Sequence, residues 1–589
     1  MTIFDVLTLI GGLCLFLFGM QVMGDGLERR AGGSLKVLLG RLTGSKFKGF
    51  LTGLGVTSVI QSSSATTVMV VGFVNSKVMT LKQAIGVIMG ANIGTTVTAW
   101  ILSLGGISGN SLFLKLLKPT SFTPVLALIG TTFLMFSKSE KKRDVGTVLL
   151  GFATLMFGMD TMSGAVSGLA DMPSFRQLFL LFSNPILGVL VGGLLTAVIQ
   201  SSSASVGILQ ALSATGAVTF ASAIPIIMGQ NIGTCVTALL SSFGTNKNAK
   251  RAAVVHLSFN VIGTVVWLTV FSVVSALFRP SLLQQPATYA GIAMAHSVFN
   301  ILCTLLLYPM SSLLEKLAYK IVPEGKEKEP EKRVELDDRL LLTPAVALAE
   351  SERVTLKMGE RAAQGLNDSL SLLTDYTPER AAEVRAAEKD TDRYEDLLGT
   401  YLTRLSRRQI TAEDSTEISK LLKAIGDFER IADHSVNILE SAEELREKKT
   451  AFSLGAAEDL RVLCRALSDI LALTLTAFRE NDPEKAAEVE PLEQVIDGLR
   501  TALRDGHIVR LKSGECTVEA GFIWSDLLTN MERAADHCSN IAACIIEAGH
   551  QDMDLHAFLH DCKREEAFRQ RYHALKKRYC LPSRVPVGE

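Results

Sequence analysis

Apolar residues are distributed very differently in the two halves of this 589-residue chain. Beyond about residue 340 they recur at helical spacing among charged residues, which is typical of amphipathic helices in a bundle. Before that they form long runs, and seven of these are candidate membrane spans, near residues 3–23, 83–104, 122–137, 145–163, 220–243, 253–278 and 288–310. The pattern predicts an all-α polytopic membrane protein that also has a soluble helical-bundle domain.

Two further apolar segments, at residues 49–75 and 188–214, are interrupted at their centre by the sequence Gln-Ser-Ser-Ser. Roughly 12 apolar or small residues lie on each side of the interruption, so each helical arm would be about 18 Å long, about half of the ~30 Å hydrocarbon thickness. We therefore predict two re-entrant helical hairpins whose polar tips reach the middle of the membrane. The alternative is a continuous helix that carries a serine cluster.

The Gln-Ser-Ser-Ser motif belongs to an internal duplication. Gln61–Ala65 recurs 139 residues later as Gln200–Ala204, and Gly90–Thr95 recurs at the same offset as Gly229–Thr234. Motifs that stay in register without a gap indicate two structural repeats. If the hairpins do not cross the membrane, three spans separate the two motifs, and the repeats are therefore inverted.

Charge supports the division of the chain and orients it. Residues 1–310 contain 19 of the 59 Lys and Arg residues but only seven of the 60 Asp and Glu residues. With the N-terminus outside, the loops on one side hold 15 of these cations and the opposite loops hold four, and basic loops face the cytoplasm. We expect a multi-pass protein of the plasma membrane (the inner membrane of a bacterium) with a cytoplasmic C-terminal domain.

A highly charged stretch with two prolines predicts a linker between the domains. The predicted domains are a membrane domain at 1–315, with repeats at about 1–137 and 140–278 and a further helix at 288–310, a linker at 316–339, a two-bundle helical domain at 340–565 and a tail at 566–589.

The tips have the composition of a site for an anion and a cation. Serines at the start of the second arm are expected to cap it, so that N–H groups and the positive end of the helix dipole face the tip. The first arm ends in carbonyl groups suited to a hard cation. Neither hairpin carries Lys or Arg in its apolar arms, so a bound sodium ion is the simplest partner for a phosphate-like dianion. The alternative is that the serines only join helices.

Other polar residues of the membrane domain leave two interpretations open. Asp160 is the only acid well inside an apolar span, and it could bind a cation or a proton or make an interhelical hydrogen bond. The pairs His256 and Asn260, and His296 and Asn300, have the i, i+4 spacing of one helix face. Helix packing and substrate contact both fit these pairs.

The duplicated motifs and the two His-x-x-Phe-Asn segments resemble the type II sodium/phosphate cotransporters over about residues 1–315. The resemblance implies sodium-coupled transport of inorganic phosphate by alternating access, with both Gln-Ser-Ser-Ser regions in the substrate and sodium sites. The candidate phosphate and sodium ligands are Gln61, Ser62, Ser63, Ser64, Thr66, Asn92, Thr95, Thr96, Gln200, Ser201, Ser202, Ser203, Asn231 and Thr234.

The C-terminal half contains a second duplication, in which Glu429–Asn437 matches Glu532–Asn540. Carboxylates with the spacing ExxxD share a helix face, where solvated charge or salt bridges to arginine are the simplest interpretation. However, the four ExxxD motifs and the duplicated bundle resemble PhoU domains, which regulate phosphate signalling. This resemblance implies two three-helix bundles, phosphate-signalling partner proteins, and a divalent metal of unknown identity at Glu388, Asp392, Glu429, Asp433, Glu493, Asp497, Glu532 and Asp536.

The sequence therefore favours a sodium-coupled phosphate transporter with a fused regulatory domain. The alternatives are a phosphate exporter, and a membrane-anchored phosphate sensor without net transport. The sequence contains no nucleotide-binding loop, zinc motif or nucleophile constellation, so we expect neither an enzyme nor a nucleic-acid-binding protein.

Overall fold

The computed structural model describes residues 3–40, 45–76, 78–107, 118–167, 184–324, 336–549 and 566–582. It divides into two compact units, Met1–Ala347 and Leu348–Glu589. Every regular element in these described ranges is a helix, apart from an isolated β-bridge between Thr219 and Pro286. The all-α prediction is therefore confirmed.

The first unit contains the hydrophobic helices. They are α1 (Ile3–Gly40), α2 (Lys46–Ile60), α3 (Ser63–Asn75), α4 (Leu81–Gly94), α5 (Thr96–Ser103), α6 (Pro119–Phe136), α7 (Glu140–Ser167), α8 (Pro185–Ile199), α9 (Ser202–Ser213), α10 (Phe220–Ser241), α11 (Lys247–Phe278), α12 (Ser281–Gln284), α13 (Tyr289–Leu307) and α14 (Ser311–Ile321). Two short 3-10 helices also occur, one after α5 at Leu104–Gly106 and one after α14 at Asp338–Leu342.

Seven helical segments among the described residues are long and apolar enough to cross a membrane. They are Ile3–Ala31, Leu81–Gly106, Pro119–Phe136, Glu140–Ser167, Phe220–Ser241, Lys247–Phe278 and Tyr289–Leu307. All seven coincide with runs that the sequence predicts. The helical arms on either side of the Gln-Ser-Ser-Ser motifs, at 12 to 15 residues, are too short to belong to this set.

Glycines allow α1 and α7, the first long helices of the two repeats, to touch backbone to backbone. A Cβ on Gly19 would lie 2.3 Å from the main-chain nitrogen of Leu155, and a Cβ on its repeat mate Gly158 would lie 2.3 Å from that of Phe16. Real side chains cannot enter such space, so the contact requires glycine at both positions. The two glycines therefore make equivalent contacts, each against the first long helix of the other repeat.

Close packing at glycine also brings α4 against α2, and α10 against α8. A Cβ on Gly90 would lie 2.0 Å from the carbonyl oxygen of Phe50, and one on Gly229 would lie 2.0 Å from that of Val189. These glycines belong to the duplicated Gly-x-Asn-Ile-Gly-Thr segment. The segment is therefore held against the first arm of the hairpin in each repeat, close to its tip.

The second unit is built from amphipathic helices packed on apolar cores. They are α15 (Pro344–Leu372), which begins at the end of the first unit, α16 (Pro378–Ser406), α17 (Ala412–Glu447), α18 (Leu454–Glu480), α19 (Pro483–Ala487), α20 (Val489–Lys512), α21 (Val518–Gly549) and α22 (Glu566–Arg578). The predicted tail contains α22, which is tied to the bundle by Arg571–Glu488 and Arg578–Asp469 ion pairs of 2.6 and 2.9 Å.

Candidate functional site

The first Gln-Ser-Ser-Ser motif is a sharp reversal of the chain between α2 and α3. Gln61 has a left-handed backbone (φ 61°, ψ 21°), a conformation that non-glycine residues rarely adopt. The Thr57 hydroxyl donates to that of Thr66 at 3.0 Å. Nine residues of continuous helix would span about 13 Å, so the chain turns back on itself here.

The second motif repeats this geometry closely. Gln200 is left-handed at φ 60° and ψ 19°, and the Thr196 hydroxyl donates to that of Ser205 at 2.8 Å. Each of these residues is the repeat mate of one in the first hairpin. The continuous-helix alternative is therefore wrong for both segments, whereas re-entry into a membrane stays a prediction.

Serine side chains cap the second arm of each hairpin, as the sequence predicts. Ser62 accepts a hydrogen bond from the amide of Ala65 at 3.1 Å, and Ser201 accepts one from Ala204 at 3.2 Å. The N-terminal ends of α3 and α9 thus lie at the tips, and such ends favour negative charge. No lysine or arginine lies in the apolar arms to supply a fixed positive partner.

The two tips meet each other. The hydroxyl of Ser64 donates to the carbonyl oxygen of Gln200 at 3.3 Å, which links residues 136 positions apart. The duplicated Gly-x-Asn-Ile-Gly-Thr segment also lies here: a Cβ on Gly94 would lie 2.8 Å from Cβ of Thr57, and one on Gly233 would lie 2.7 Å from Cβ of Thr196. The fold therefore brings parts of both repeats to one polar region.

Most of the predicted ligands are enclosed by the protein. The buried ones are Gln61, Ser63, Thr66, Asn92, Thr95, Thr96, Ser202, Ser203, Asn231 and Thr234, whereas Ser62, Ser64 and Ser201 are half-buried and Gln200 is exposed. The threonine hydroxyls donate to carbonyl groups of their own helices at 2.8 to 3.2 Å. Each hydroxyl oxygen keeps at least one lone pair as an acceptor or cation ligand, although Thr66 already accepts from Thr57.

The two tips differ in how they are closed. Gln61 is 6% exposed, and its Oε1 accepts a hydrogen bond of 2.8 Å from Thr98. Thr237 is the repeat mate of Thr98, but its hydroxyl has no partner among the described residues. Sequence reasoning missed Thr98 and Thr237, although the 139-residue offset pairs them.

Buried amides near the tips were also missed. Gln210 donates to the carbonyl oxygens of Ala99 and Tyr289 at 3.1 and 3.0 Å. Gln230 is fully buried, and neither polar atom of its side chain is hydrogen-bonded within the described ranges. The signal available in the sequence was an uncharged polar residue within an otherwise apolar helix, and in the first repeat Gln230 is replaced by Ala91.

The remaining polar candidates lie apart from the tips or lack contacts to them. Asp160 is exposed on α7, and its carboxylate interacts electrostatically with Tyr289. His256 and His296 are buried, and none of their ring nitrogens is hydrogen-bonded in the described part of the chain. Asn260 and Asn300 donate back to the carbonyl oxygens of these histidines at 3.1 and 2.9 Å. Both interpretations of the His and Asn pairs stay open.

In the second unit, several acids of the first bundle lie close to one another. Glu429 is partly buried, and burial together with the neighbouring carboxylates of Asp433 and Glu395 raises its pKa to about 7, against the opposing effect of Arg430. Arg430 lies 3.5 Å from Glu429 and 3.3 Å from Asp433, but it is 61% exposed. These carboxylates repel one another, and a bound cation would relieve that repulsion.

The second bundle has an arginine beside its acids. Arg500 Nη1 lies 3.6 Å from the carboxylate of Asp497 and 3.5 Å from that of Glu532. In the repeat alignment Arg500 takes the place of Glu395, because both follow their ExxxD motif at the same spacing. Among the described residues no group of three or more His, Cys, Asp or Glu side chains is arranged to hold a metal, so the metal ligands stay a prediction.

Between α17 and α21, histidines from the two repeats face each other. The rings of His434 and His537 are 5.5 Å apart and nearly parallel. His434 Nδ1 lies 2.9 Å from Oδ1 of Asn530, and His537 Nδ1 lies 2.9 Å from Oδ1 of Asp427. Burial lowers the pKa of His434. These contacts join the two repeats of the bundle domain, just as the Ser64–Gln200 contact joins the two repeats of the membrane region.

An all-helical region with apolar spans and a duplicated helix-break-helix element is typical of transporters. Residues 15–164 and 155–294 each match the Na+/Pi-cotransporter family, and residues 355–442 and 460–545 each match the PhoU domain. The chain belongs to the Na+/Pi-cotransporter family, with PhoU domains in its C-terminal half.

Relatives share this organisation to different extents. YjbB of Escherichia coli (strain K12), provisionally named an inorganic phosphate export protein, is 24% identical over 93% of this chain and 98% of its own length. The uncharacterized protein YqeW of Bacillus subtilis (strain 168) is 30% identical over 52% of this chain and 95% of its own. The sodium-dependent phosphate transport protein 2A of Rattus norvegicus is 38% identical over 22% of this chain and 23% of its own.

Proposed function

We propose that this protein moves inorganic phosphate across the plasma membrane together with sodium ions, by alternating access around the two hairpin tips. The observation that carries the proposal is the matched pair of left-handed breaks at Gln61 and Gln200, joined by the Ser64 hydrogen bond to Gln200. Broken helices whose N-terminal ends converge from two repeats are suited to an anion. The sodium-dependent name of the rat relative supports the coupling ion.

Sodium has a physical role at such a site. A phosphate dianion among capped helix ends would find partial positive charge but no lysine or arginine within the apolar segments 49–75 and 188–214. A co-bound cation would neutralise it, and the carbonyl groups that end α2 and α8 are suitable ligands because the last carbonyls of a helix lack intrahelical partners. Phosphate binding would then require a bound sodium ion, and this requirement would couple phosphate movement to sodium movement.

The proposed topology places the hairpins in the membrane from opposite sides. Helices α2 and α8 have 15 residues each, about 22 Å, which is less than the ~30 Å hydrocarbon thickness. The bias of basic residues supports an external N-terminus and a cytoplasmic second unit. The difference between enclosed Gln61 and exposed Gln200 fits one half of a cycle in which the tips open in turn.

The direction of net transport separates this proposal from its main alternative. The provisional export name of YjbB favours outward movement of phosphate as the second candidate. A sensor without net transport is the third candidate, and the coupled cation site that we propose at the tips argues against it. Direction follows the imposed gradients and kinetics rather than the ligand set, so all three share one test.

The test is flux of radiolabelled phosphate in proteoliposomes that contain the full chain. A sodium gradient is imposed inward or outward, and choline replaces sodium as the control. We expect phosphate movement to follow the sodium gradient and to stop in choline. Equal flux in choline would contradict sodium coupling, and binding without flux in either direction would favour the sensor.

For the second unit we propose a regulatory role through divalent metal binding. The candidate ligands are Glu388, Asp392, Glu429 and Asp433 in the first bundle and Glu493, Asp497, Glu532 and Asp536 in the second. Carboxylates favour hard or borderline divalent ions. The raised pKa of Glu429 and the absence of an arginine at the position of Glu395 favour the first set. Elemental analysis of the purified full chain tests this, with Glu429→Gln as the control.

A further inference from the structure

A short segment, residues 336–343, spans the end of the predicted linker and is bound to the end of the first hairpin. The side chain of Asn75, the last residue of α3, donates to the Asp337 carboxylate at 2.9 Å. Asp337 is 4% exposed and is ion-paired with Arg339 at 2.9 Å. Arg339 in turn donates to the carbonyl oxygens of Ser241 and Phe243, the latter at 2.9 Å. A buried carboxylate is stable only when it is paired in this way.

An apolar anchor accompanies the polar contacts. Leu340 is fully buried, and its Cδ2 would lie 2.9 Å from a Cβ built on Gly72, one turn before the end of α3. Leu342, two residues later, is 58% exposed. The segment therefore binds through one defined face, with the glycine leaving room for the leucine.

The bound segment joins the two repeats. Gly72 and Asn75 belong to the hairpin of the first repeat, whereas Ser241 and Phe243 lie where α10 of the second repeat ends. Asn75 also accepts a hydrogen bond of 2.9 Å from the amide of Asn246, which caps α11. Acid, arginine and leucine of one short segment thus bridge the end of the first hairpin and the α10–α11 turn of the second repeat.

We propose that residues 336–343 form a regulatory clip that slows transport by tying the end of the first hairpin to the α10–α11 turn. The clip is continuous with α15, which begins at Pro344, so a change in the second unit that pulls on α15 would release it. The inference rests on the proposed transport function, since its readout is flux. It assigns to this segment a binding site on the membrane unit, built from Gly72, Asn75 and the α10–α11 turn.

The first test locks the clip with a disulfide in the full chain. Gly72→Cys and Leu340→Cys are combined, with the exposed Cys14 and Cys580 replaced by serine. Leu340 Cγ lies 3.4 Å from the position of a Cβ on residue 72, so a sulfur there is close enough to bond. Gly72→Cys with Leu340→Ala and Leu342→Cys is the matched control, because it removes the same leucine side chain but places the second thiol at the exposed position 342.

We expect the first pair, and not the control, to form the cross-link on oxidation, as seen by mass spectrometry. Sodium-dependent phosphate flux should then fall about fivefold or more and return on reduction, a range typical of coupling between sites. Equal flux in the locked and reduced forms would overturn the clip and leave transport intact. Failure of the pair to cross-link would also overturn it, since the segment would not be bound.

The second test releases the clip without a covalent bond. Leu340→Ser should raise the maximal flux about twofold or more with little change in the phosphate concentration at half-maximal flux, because the ligand-binding tips are untouched. Leu342→Ser, at the exposed position, should behave as wild type. Equal flux in both variants would contradict the proposal. If wild type and reduced protein show no sodium-dependent flux, the proposed function fails, and the regulatory role fails with it.

Discussion

The Ser64 hydroxyl donates a hydrogen bond to the main-chain oxygen of Gln200, so the second arm of one hairpin touches the break in the other. The contact crosses between repeats rather than within one. Binding of a ligand at either tip would therefore change the contacts of the other tip as well. This is the geometric basis for treating the two Gln-Ser-Ser-Ser motifs as one site.

The two glutamines at the breaks should both be needed for transport. Gln61→Ala removes the amide that donates to the Ser58 carbonyl and accepts from Thr98. Gln200→Ala removes the exposed amide side chain at the equivalent position of the second repeat. We expect each variant to lower sodium-dependent phosphate uptake about tenfold or more at equal membrane abundance, since both act in binding. Uptake near wild type in both variants would show that the tips are not the site.

Their threonine partners should behave unequally. Thr98→Val leaves Oε1 of Gln61 buried without a donor, a loss of about 1–3 kcal/mol, and should lower both the thermal midpoint and uptake. Thr237→Val removes a hydroxyl that has no partner among the described residues, so stability should change little or rise. The comparison is made by thermal unfolding in detergent and by uptake. Equal effects of the two changes would contradict the asymmetry of the tips.

Close helix packing should make some glycines irreplaceable. Gly229→Ala would place a Cβ 2.0 Å from the carbonyl oxygen of Val189, whereas Gly164→Ala meets nothing within 4 Å. We expect Gly229→Ala to abolish or strongly reduce folded protein on size-exclusion chromatography. Gly164→Ala should be neutral or slightly stabilising, because alanine favours the helix by about 1 kcal/mol. Similar yields of folded protein from both would show that α8 and α10 can separate.

The proposed inverted topology can be checked with repeat mates. Ser76 and Thr215 end the two hairpins at the 139-residue offset and are both half-buried. Single cysteines at these positions should react with a membrane-impermeant reagent from opposite sides, Ser76 from the cytoplasm. Reaction from the same side would refute inversion. Native cysteines are replaced one at a time, with uptake as the control for each replacement.

Sequence reasoning located the spans and the break points because both are local properties. Apolar length predicts a span, and serines between apolar arms predict a capped break. The contact between Ser64 and Gln200, and the closure of Gln61 by Thr98, depend on how distant helices pack, which the printed sequence does not contain. The docking of Leu340 on Gly72 was missed for the same reason: the predicted boundary between linker and bundle domain falls at residue 340, and the partners of this segment lie about 260 residues earlier in the chain.

The acidic site of the second unit offers a prediction with a defined pH dependence. Burial and neighbouring carboxylates raise the pKa of Glu429 from 4.5 to about 7. A raised carboxyl pKa contributes stability that is fully present below pH about 4.5 and is lost as the pH rises through about 7. Glu429→Gln removes this loss, so at pH 8 without metal the variant should show more protection from hydrogen exchange in α17 than wild type.

Divalent metal should reverse the order of hydrogen-exchange protection, so that α17 is better protected in wild type than in Glu429→Gln. Manganese added at pH 8 should protect α17 in wild type, because it neutralises the clustered carboxylates, and should have little effect on Glu429→Gln. Glu532→Gln is the matched control in the second bundle, where Arg500 already lies 3.5 Å from the carboxylate. We expect it to change metal-dependent protection much less. Equal protection by manganese in wild type and Glu429→Gln would show that these acids serve as salt-bridge partners rather than metal ligands.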